Sequence, residues 1–174
     1  MIVGGLGAAG RARVDERGRI VVHGERWVLD WWLGADDRWR IPAREEAVRS
    51  TTVGAAPVSE IRVRVPGGDA VQRVYAIGGA AGLVIIEIEN DSPAAFVVAC
   101  TVSGARTMVL EDGMLQVDGA PRLALPTVPS RWSVGSTPLT AETIGASTGP
   151  FPDAHSRRSR LEAALLFPLS HRNR

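Results

Sequence analysis

Lysine does not occur in this chain: all 20 basic residues among its 174 positions are arginine. A GC-rich coding bias accounts for that, and an arginine-selective binding surface is the alternative. Either way, each basic group is a fixed charge with a planar fork of donors. Nineteen acidic residues bring the formal net charge to +1, so no general field draws nucleic acid or an anionic membrane. The single cysteine, Cys100, excludes an intrachain disulfide and fits a reducing compartment. It shares a strand face with Phe96, Val98 and Val102, which reads as a buried, inert thiol. No segment approaches the ~20 apolar residues of a membrane span, and the N-terminus lacks a basic n-region and long apolar stretch. The expectation is a cytoplasmic protein. The three histidines, His23, His155 and His171, are scattered with no carboxylate or thiol at ligand spacing, so neither a metal nor a cofactor is expected. No Gly-x-Ser-x-Gly elbow is present.

What the chain does have is strand. Val58–Val65 alternates: Ile61, Val63 and Val65 point one way, Glu60, Arg62 and Arg64 the other, the period-2 mark of a half-buried strand. Pro66-Gly67-Gly68-Asp69 turns the chain into Ala70–Ile77. Gly78-Gly79 and Gly82 lead into Leu83–Glu89, and Asn90-Asp91-Ser92-Pro93 into Ala94–Val102. This predicts an antiparallel meander of four strands. Before it, Arg11–Val14, Arg19–His23 and Arg26–Trp32 read as short strands; after it, Asp112-Gly113 and Asp118-Gly119 mark two tight hairpins among Thr107–Glu111, Met114–Val117 and Arg122–Leu125. Arg131–Val134 and Leu161–Ser170 are further strands. Ile41–Val48 fits one helical turn or a bent edge strand. The reading is one all-β domain over 1–174, an antiparallel two-sheet sandwich with a closed barrel as the alternative. Residues 1–10 form a flexible N-terminal segment, and 137–160, with prolines and the run Ser156-Arg157-Arg158-Ser159-Arg160, a long loop.

Gly5-Leu6-Gly7-Ala8-Ala9-Gly10 has the spacing of a dinucleotide fingerprint, but no crossover helix can follow it, so the context fails. Trp27, Trp31, Trp32 and Trp39 gather four of the five tryptophans within thirteen residues. Neighbouring Trp31 and Trp32 on a strand point to opposite faces, one to the core and the other to a surface, groove or partner. Asp36, Asp37 and Arg38 follow. Aromatic faces beside carboxylates and a guanidinium can hold a sugar; the plainer reading is a tryptophan-rich core edge and a charged turn. Glu87 and Glu89 match a paired-acid glycosidase pattern in type only, and their place before a turn reads as a solvated strand end.

Arg26-Trp27-Val28-Leu29-Asp30-Trp31-Trp32 with Gly34-Ala35-Asp36-Asp37-Arg38-Trp39, Ala56-Pro57-Val58-Ser59-Glu60 through Pro66-Gly67-Gly68-Asp69-Ala70, and Ile86-Glu87-Ile88-Glu89-Asn90 with Ser92-Pro93 form a pattern of strands and turns. Over roughly residues 19 to 170 it resembles the N-terminal β-supersandwich, similar to the galactose-mutarotase sandwich, of actinobacterial glucoamylase-like and trehalase-like glycosidase-related proteins. The resemblance implies a sandwich that packs on an (α/α)6 catalytic barrel and shapes one side of its cleft. This chain has no such barrel, so the family's catalytic acids have no counterparts here. The expectation is therefore a non-catalytic module that supports a glycosidase-like domain, with Trp31, Trp32, Asp36, Asp37, Arg38 and Trp39 as carbohydrate-contacting candidates. The alternatives are an interaction protein that homodimerises through sheet edges, and a small mutarotase-type enzyme using His23 and a carboxylate.

Overall fold

The computed structural model describes residues 1–4, 11–54, 56–78, 82–157 and 159–171. Among these the chain forms sixteen strands and one 3-10 turn, Pro42–Arg44. The strands are β1 (Ile2–Val3), β2 (Ala12–Val14), β3 (Ile20–Val22), β4 (Val28–Gly34), β5 (Trp39–Arg40), β6 (Val48–Thr52), β7 (Ser59–Val65), β8 (Gly68–Ile77), β9 (Leu83–Asp91), β10 (Phe96–Ala105), β11 (Thr107–Glu111), β12 (Met114–Val117), β13 (Ala120–Ala124), β14 (Arg131–Gly135), β15 (Ala154–His155) and β16 (Leu161–Leu169). They make three antiparallel sheets with no barrel closure, an all-β sandwich. No helix among the described residues is long and apolar enough to cross a membrane. The chain divides into two compact units, residues 1–98 with the end of the chain from 168, and residues 99–167.

In the first unit β1, β2, β3 and β4 pair in order, with β5 on the end of β4. A second sheet runs β6-β7-β8-β9. Its inner face is set by the alternation in β7: Ile61 and Val63 are fully buried, Val65 and Ser59 nearly so, while Arg64 is exposed. Ala70, Gln72 and Val74 of β8 continue that face. Pro66 and Gly67 form a two-residue turn between paired Val65 and Gly68, with Gly67 at φ +77°. At Gly68 a Cβ would collide with the Asp91 carbonyl, so this crossing requires glycine. Each fully buried aliphatic side chain of this face contributes about 1.5–3 kcal/mol.

The meander read from the sequence is corrected at its last strand. β6, not β10, is the fourth member of the β6–β9 sheet. The turn before β10 shows how the chain leaves. Asn90 is fully buried, and its Nδ2 donates to the carbonyls of Ala94 (2.8 Å) and Leu169 (3.2 Å). Its Oδ1 accepts from the Ser92 amide (3.0 Å) and hydroxyl (2.7 Å), and the His171 ring bonds the Ser92 carbonyl. One side chain thus fixes the turn and holds the last strand's end. Ile41–Val48 resolves into the 3-10 turn followed by β6, as Pro42 at its first position favours. Of the ten N-terminal residues read as flexible, Ile2–Val3 pairs with Val3↔Ala12 register; the glycine motif at 5–10 lies outside the described residues.

In the second unit β13-β12-β11 follow as hairpins, with β15 on the far side of β11. Both Asp-Gly turns have two residues of positive φ, 49° and 73° at Asp112-Gly113, 52° and 78° at Asp118-Gly119, the conformation that selects these residues. Asp118 also accepts from the amides of Arg106 (2.6 Å) and Thr107 (3.1 Å). The stretch 137–160 contains β15 and is tethered: Trp132 donates to the Gly149 carbonyl (2.9 Å), meets Phe151 edge-on at 5.4 Å and bridges Ser147. β14 pairs along its length with Glu162–Leu166 of β16. Cys100 is half-buried rather than in the core, because Ala99 and Thr101 beside it take the buried positions.

Asn90→Ala would leave the Ser92 amide and the Leu169 carbonyl without this partner. We expect a loss of about 3 kcal/mol in urea-unfolding stability, with Asn90→Asp recovering part of it through the retained acceptor.

Candidate functional site

The sequence candidates separate into core and surface. Trp31 is 1% exposed and its ring offers no face to a ligand. Its Nε1 donates to the Arg17 carbonyl at 3.1 Å. Trp32, on the opposite face of β4, is also buried, so neither of the adjacent tryptophans is the surface aromatic that the alternation suggested. Trp39 is half-buried and folds back on its own hairpin: a Cβ at Gly34 would lie 2.9 Å from the ring. Asp36 is exposed. Asp37 is exposed too and takes both guanidinium nitrogens of buried Arg40, at 2.8 and 2.6 Å. That fork, together with the pair's attraction, holds the Asp37 carboxyl at about 2. Arg38 grips Glu45 in the same bidentate way, at 2.5 and 2.7 Å, and draws its carboxyl below the usual range.

The Arg38–Glu45 pair leads to a site that the sequence did not single out. The Glu45 carbonyl accepts from Arg17 Nη1. Arg17 lines a polar cleft of about 290 Å³ together with Glu16, Val48 and Ser50. Local sequence explains the placement. Asp15 Oδ1 accepts from the amides of Arg17 (2.8 Å) and Arg19 (3.0 Å), closing the Asp15-Glu16-Arg17-Gly18 turn. Val48 and Ser50 pair with Val63 and Ile61 on the inner-face row of β6, the edge strand, where that row reaches the rim. The lining supplies a carboxylate acceptor, a guanidinium donor and a hydroxyl that does both, which suits a small neutral polar molecule. Glu16, Val48 and Ser50 carried no signal in the sequence, since a turn acid and an edge-strand serine are common anywhere.

The turn that carries Arg17 also packs on the β6–β9 sheet through Gly18. Gly18, at φ +85°, packs so that a Cβ would collide with Gln72 Oε1 and lie 2.5 Å from Trp31 Nε1. Gln72 is 2% exposed, and its Oε1 has no hydrogen-bond partner. Nearby, burial pushes the half-buried Asp30 carboxyl up to about 6, against the Trp31 amide bond (2.8 Å) and the Arg19 charge.

Glu87 and Glu89 are not a solvated strand end. Arg73 donates to Glu89 at 2.6 Å and to Glu60 at 2.7 Å, and Tyr75 donates to Glu87 at 3.0 Å. Arg62 adds Glu60 (2.9 Å) and Asp91 (3.7 Å), and Asp69 takes Arg49 and Arg64. Burial alone would raise Glu60, but its two guanidiniums win and its carboxyl is lowered. His23, the mutarotase candidate, is exposed. Among the described residues no three metal-binding side chains gather. No family model matches the chain, and neither does any curated protein or solved structure.

Two outcomes follow from this geometry. Gly18→Ala should cost about 2–4 kcal/mol by denaturant unfolding, from the left-handed backbone and the overpacked Gln72 contact. For Asp30 the folded carboxyl is raised from 3.8 to about 6. Its contribution is therefore complete below about 3.8 and is lost as pH rises through about 6, a penalty on the order of 3 kcal/mol at neutral pH. Asp30→Asn should then exceed wild type in stability at pH 8, with the difference vanishing near pH 4.

Proposed function

We propose that this chain is a non-catalytic β-sandwich module that works by association, contacting a carbohydrate at the Glu16–Arg17–Ser50 cleft and supporting a glycosidase-like catalytic domain. The observation that carries the reading is the cleft itself. It combines donor, acceptor and hydroxyl at the sandwich rim, and the Arg38–Glu45 pair holds Arg17 toward it. Its volume, about 290 Å³, sits at the small end of ligand sites, enough for one sugar ring and not a chain. No tryptophan lines this cleft; Trp39 packs against Gly34 of its own hairpin. Trp31 acts instead from below, by holding the Arg17 carbonyl.

The likeness to the galactose-mutarotase-like sandwich of glucoamylase-like and trehalase-like proteins belongs to this proposal and supplies its partner, an (α/α)6 catalytic domain. The fold agrees with a sandwich of that class and does not by itself choose it.

Titration with glucose, maltose, trehalose and longer α-glucans, followed by tryptophan emission, tests the reading. Trp31 is bonded to the residue that would touch the ligand, so occupancy should shift its emission saturably at millimolar concentration. Arg17→Ala should weaken binding at least about tenfold, the loss of one charge-assisted hydrogen bond. A flat response to every sugar would overturn the carbohydrate part of the proposal.

A further inference from the structure

β9 ends the β6–β9 sheet, and no strand among the described residues pairs with its outer side. Nine residues long, it exposes a full row of backbone donors and acceptors, the template on which another strand can add. Its inner-face side chains Val84, Ile86 and Ile88 are only half-buried, whereas Ile61 and Val63 of β7 and Ala70 and Val74 of β8 are wholly covered. The apolar row therefore runs to the edge without being closed there.

The outer face states what would fit. The register places Ile77 opposite Leu83 and Tyr75 opposite Ile85, then Arg73 opposite Glu87, Val71 opposite Glu89 and Asp69 opposite Asp91. Leu83 is 64% exposed and Ile77 49%. Charge is graded across the sheet: β6 and β7 present Arg49, Arg62 and Arg64 against Glu60, while β8 and β9 present Asp69, Glu87, Glu89 and Asp91 against Arg73. The arginines that reach Glu89 and Asp91 come from the β7 and β8 side. Along β9 this face therefore runs from apolar Leu83 and Ile85 to the acids Glu87, Glu89 and Asp91, which also bond Tyr75, Arg73 and Arg62.

We propose that β9 is a strand-addition site for an extended segment of a partner protein, with arginine or lysine opposite Glu87–Asp91 and a bulky apolar residue against Ile77 and Leu83. A second copy of β9 is a poorer occupant: in parallel register Glu87, Glu89 and Asp91 would each lie beside its own kind, and an antiparallel copy centred on Glu87 would set Asp91 against Leu83, Glu89 against Ile85 and Glu87 against itself. This site is independent of the cleft, which lies at β6, the opposite edge of the same sheet.

The experiment uses the full chain and a fluorescein-labelled octapeptide of alternating arginine and valine, with an alternating glutamate and valine peptide as control. Anisotropy should show binding of the arginine peptide at least about tenfold tighter than the control, weakening several-fold between low and high salt. Amide exchange should slow in 83–91 and not in 48–52. Methylating alternate backbone amides of the peptide should abolish binding, and the double variant Glu87→Gln/Asp91→Asn should reduce it while leaving the unfolding transition in place. Equal binding of both peptides, or protection at β6, would overturn the proposal. So would concentration-dependent dimerisation that protects β9 without peptide, which would assign the edge to a second copy.

Discussion

The first unit depends on one close approach, Gly18 against Gln72 and Trp31. Two sheets facing each other normally stand about 10 Å apart, separated by side chains. Here a turn of one sheet lies directly on the amide of Gln72, which only a residue without Cβ permits. The approach buries Trp31, fixes its indole nitrogen on the Arg17 carbonyl and thereby sets where the Arg17 side chain begins. It also leaves Gln72 Oε1 without a partner, a cost on the order of 1–3 kcal/mol. Packing of the surrounding aliphatic rows, Ile61, Val63 and Val74 among them, more than offsets it. The rim cleft, the tryptophan reporter and the buried amide are consequences of the same contact.

The absence of lysine acquires a structural sense on the β6–β9 sheet. Arg73 bridges Glu60 on one neighbouring strand and Glu89 on the other, and Arg62 reaches both Glu60 and Asp91. A guanidinium can serve two carboxylates at once with a planar fork, which an ammonium does less well. Most of these pairs are partly exposed, and each is worth little in stability. Their collective effect is on register. A slip of one residue in β7 would turn Ile61, Val63 and Val65 to solvent and break every cross-strand pair together. Val71 shows the same point from below: flanked by Arg62 and Glu89, it is 1% exposed on a face the alternation marks as polar.

Strands with local signatures were legible in the sequence. The alternation of β7 and the two Asp-Gly turns carry their own instructions, and β11 and β12 fall on the residues read for them. What was not legible depends on distant chain. β6 has no apolar alternation and is a strand because β7 pairs with it. β10 follows β9 in sequence, but Asn90 turns it out of that sheet, and a buried asparagine side chain looks like any turn residue until its partners at Ala94 and Leu169 are seen. The site failed in the same way. The tryptophans were visible and drew attention, yet hydrophobicity puts Trp31 and Trp32 inside. The residues at the cleft are mostly polar, ordinary and brought together from two separate segments, the Asp15–Gly18 turn and β6.

Sheet termination explains why both proposed surfaces lie where they do. A sandwich buries the inner face of its central strands and pairs both their backbone edges, so the inner rows of β7 and β8 have few free groups to offer. At the edges the inner row loses its cover and the backbone its neighbour. At β6 a polar turn reaches over the rim, with Arg17 bonded to Glu45, and the result is a small polar cleft. At β9 no described strand does so, and the edge stays open with acids at one end and apolar residues at the other. The two edges of one sheet thus offer different chemistry: a concave polar site too small for more than one ring, and an extended edge whose outward backbone groups can pair with an added strand in place of water. Proteins commonly blunt such edges with charged side chains, lysine above all, with proline or with a bulge. β9 has no proline and no bulge across its nine residues, its only charges are the acids Glu87, Glu89 and Asp91, and its pairing with β8 is unbroken from Leu83 to Asp91. The proposed strand addition at this edge would select a basic partner by charge rather than by shape.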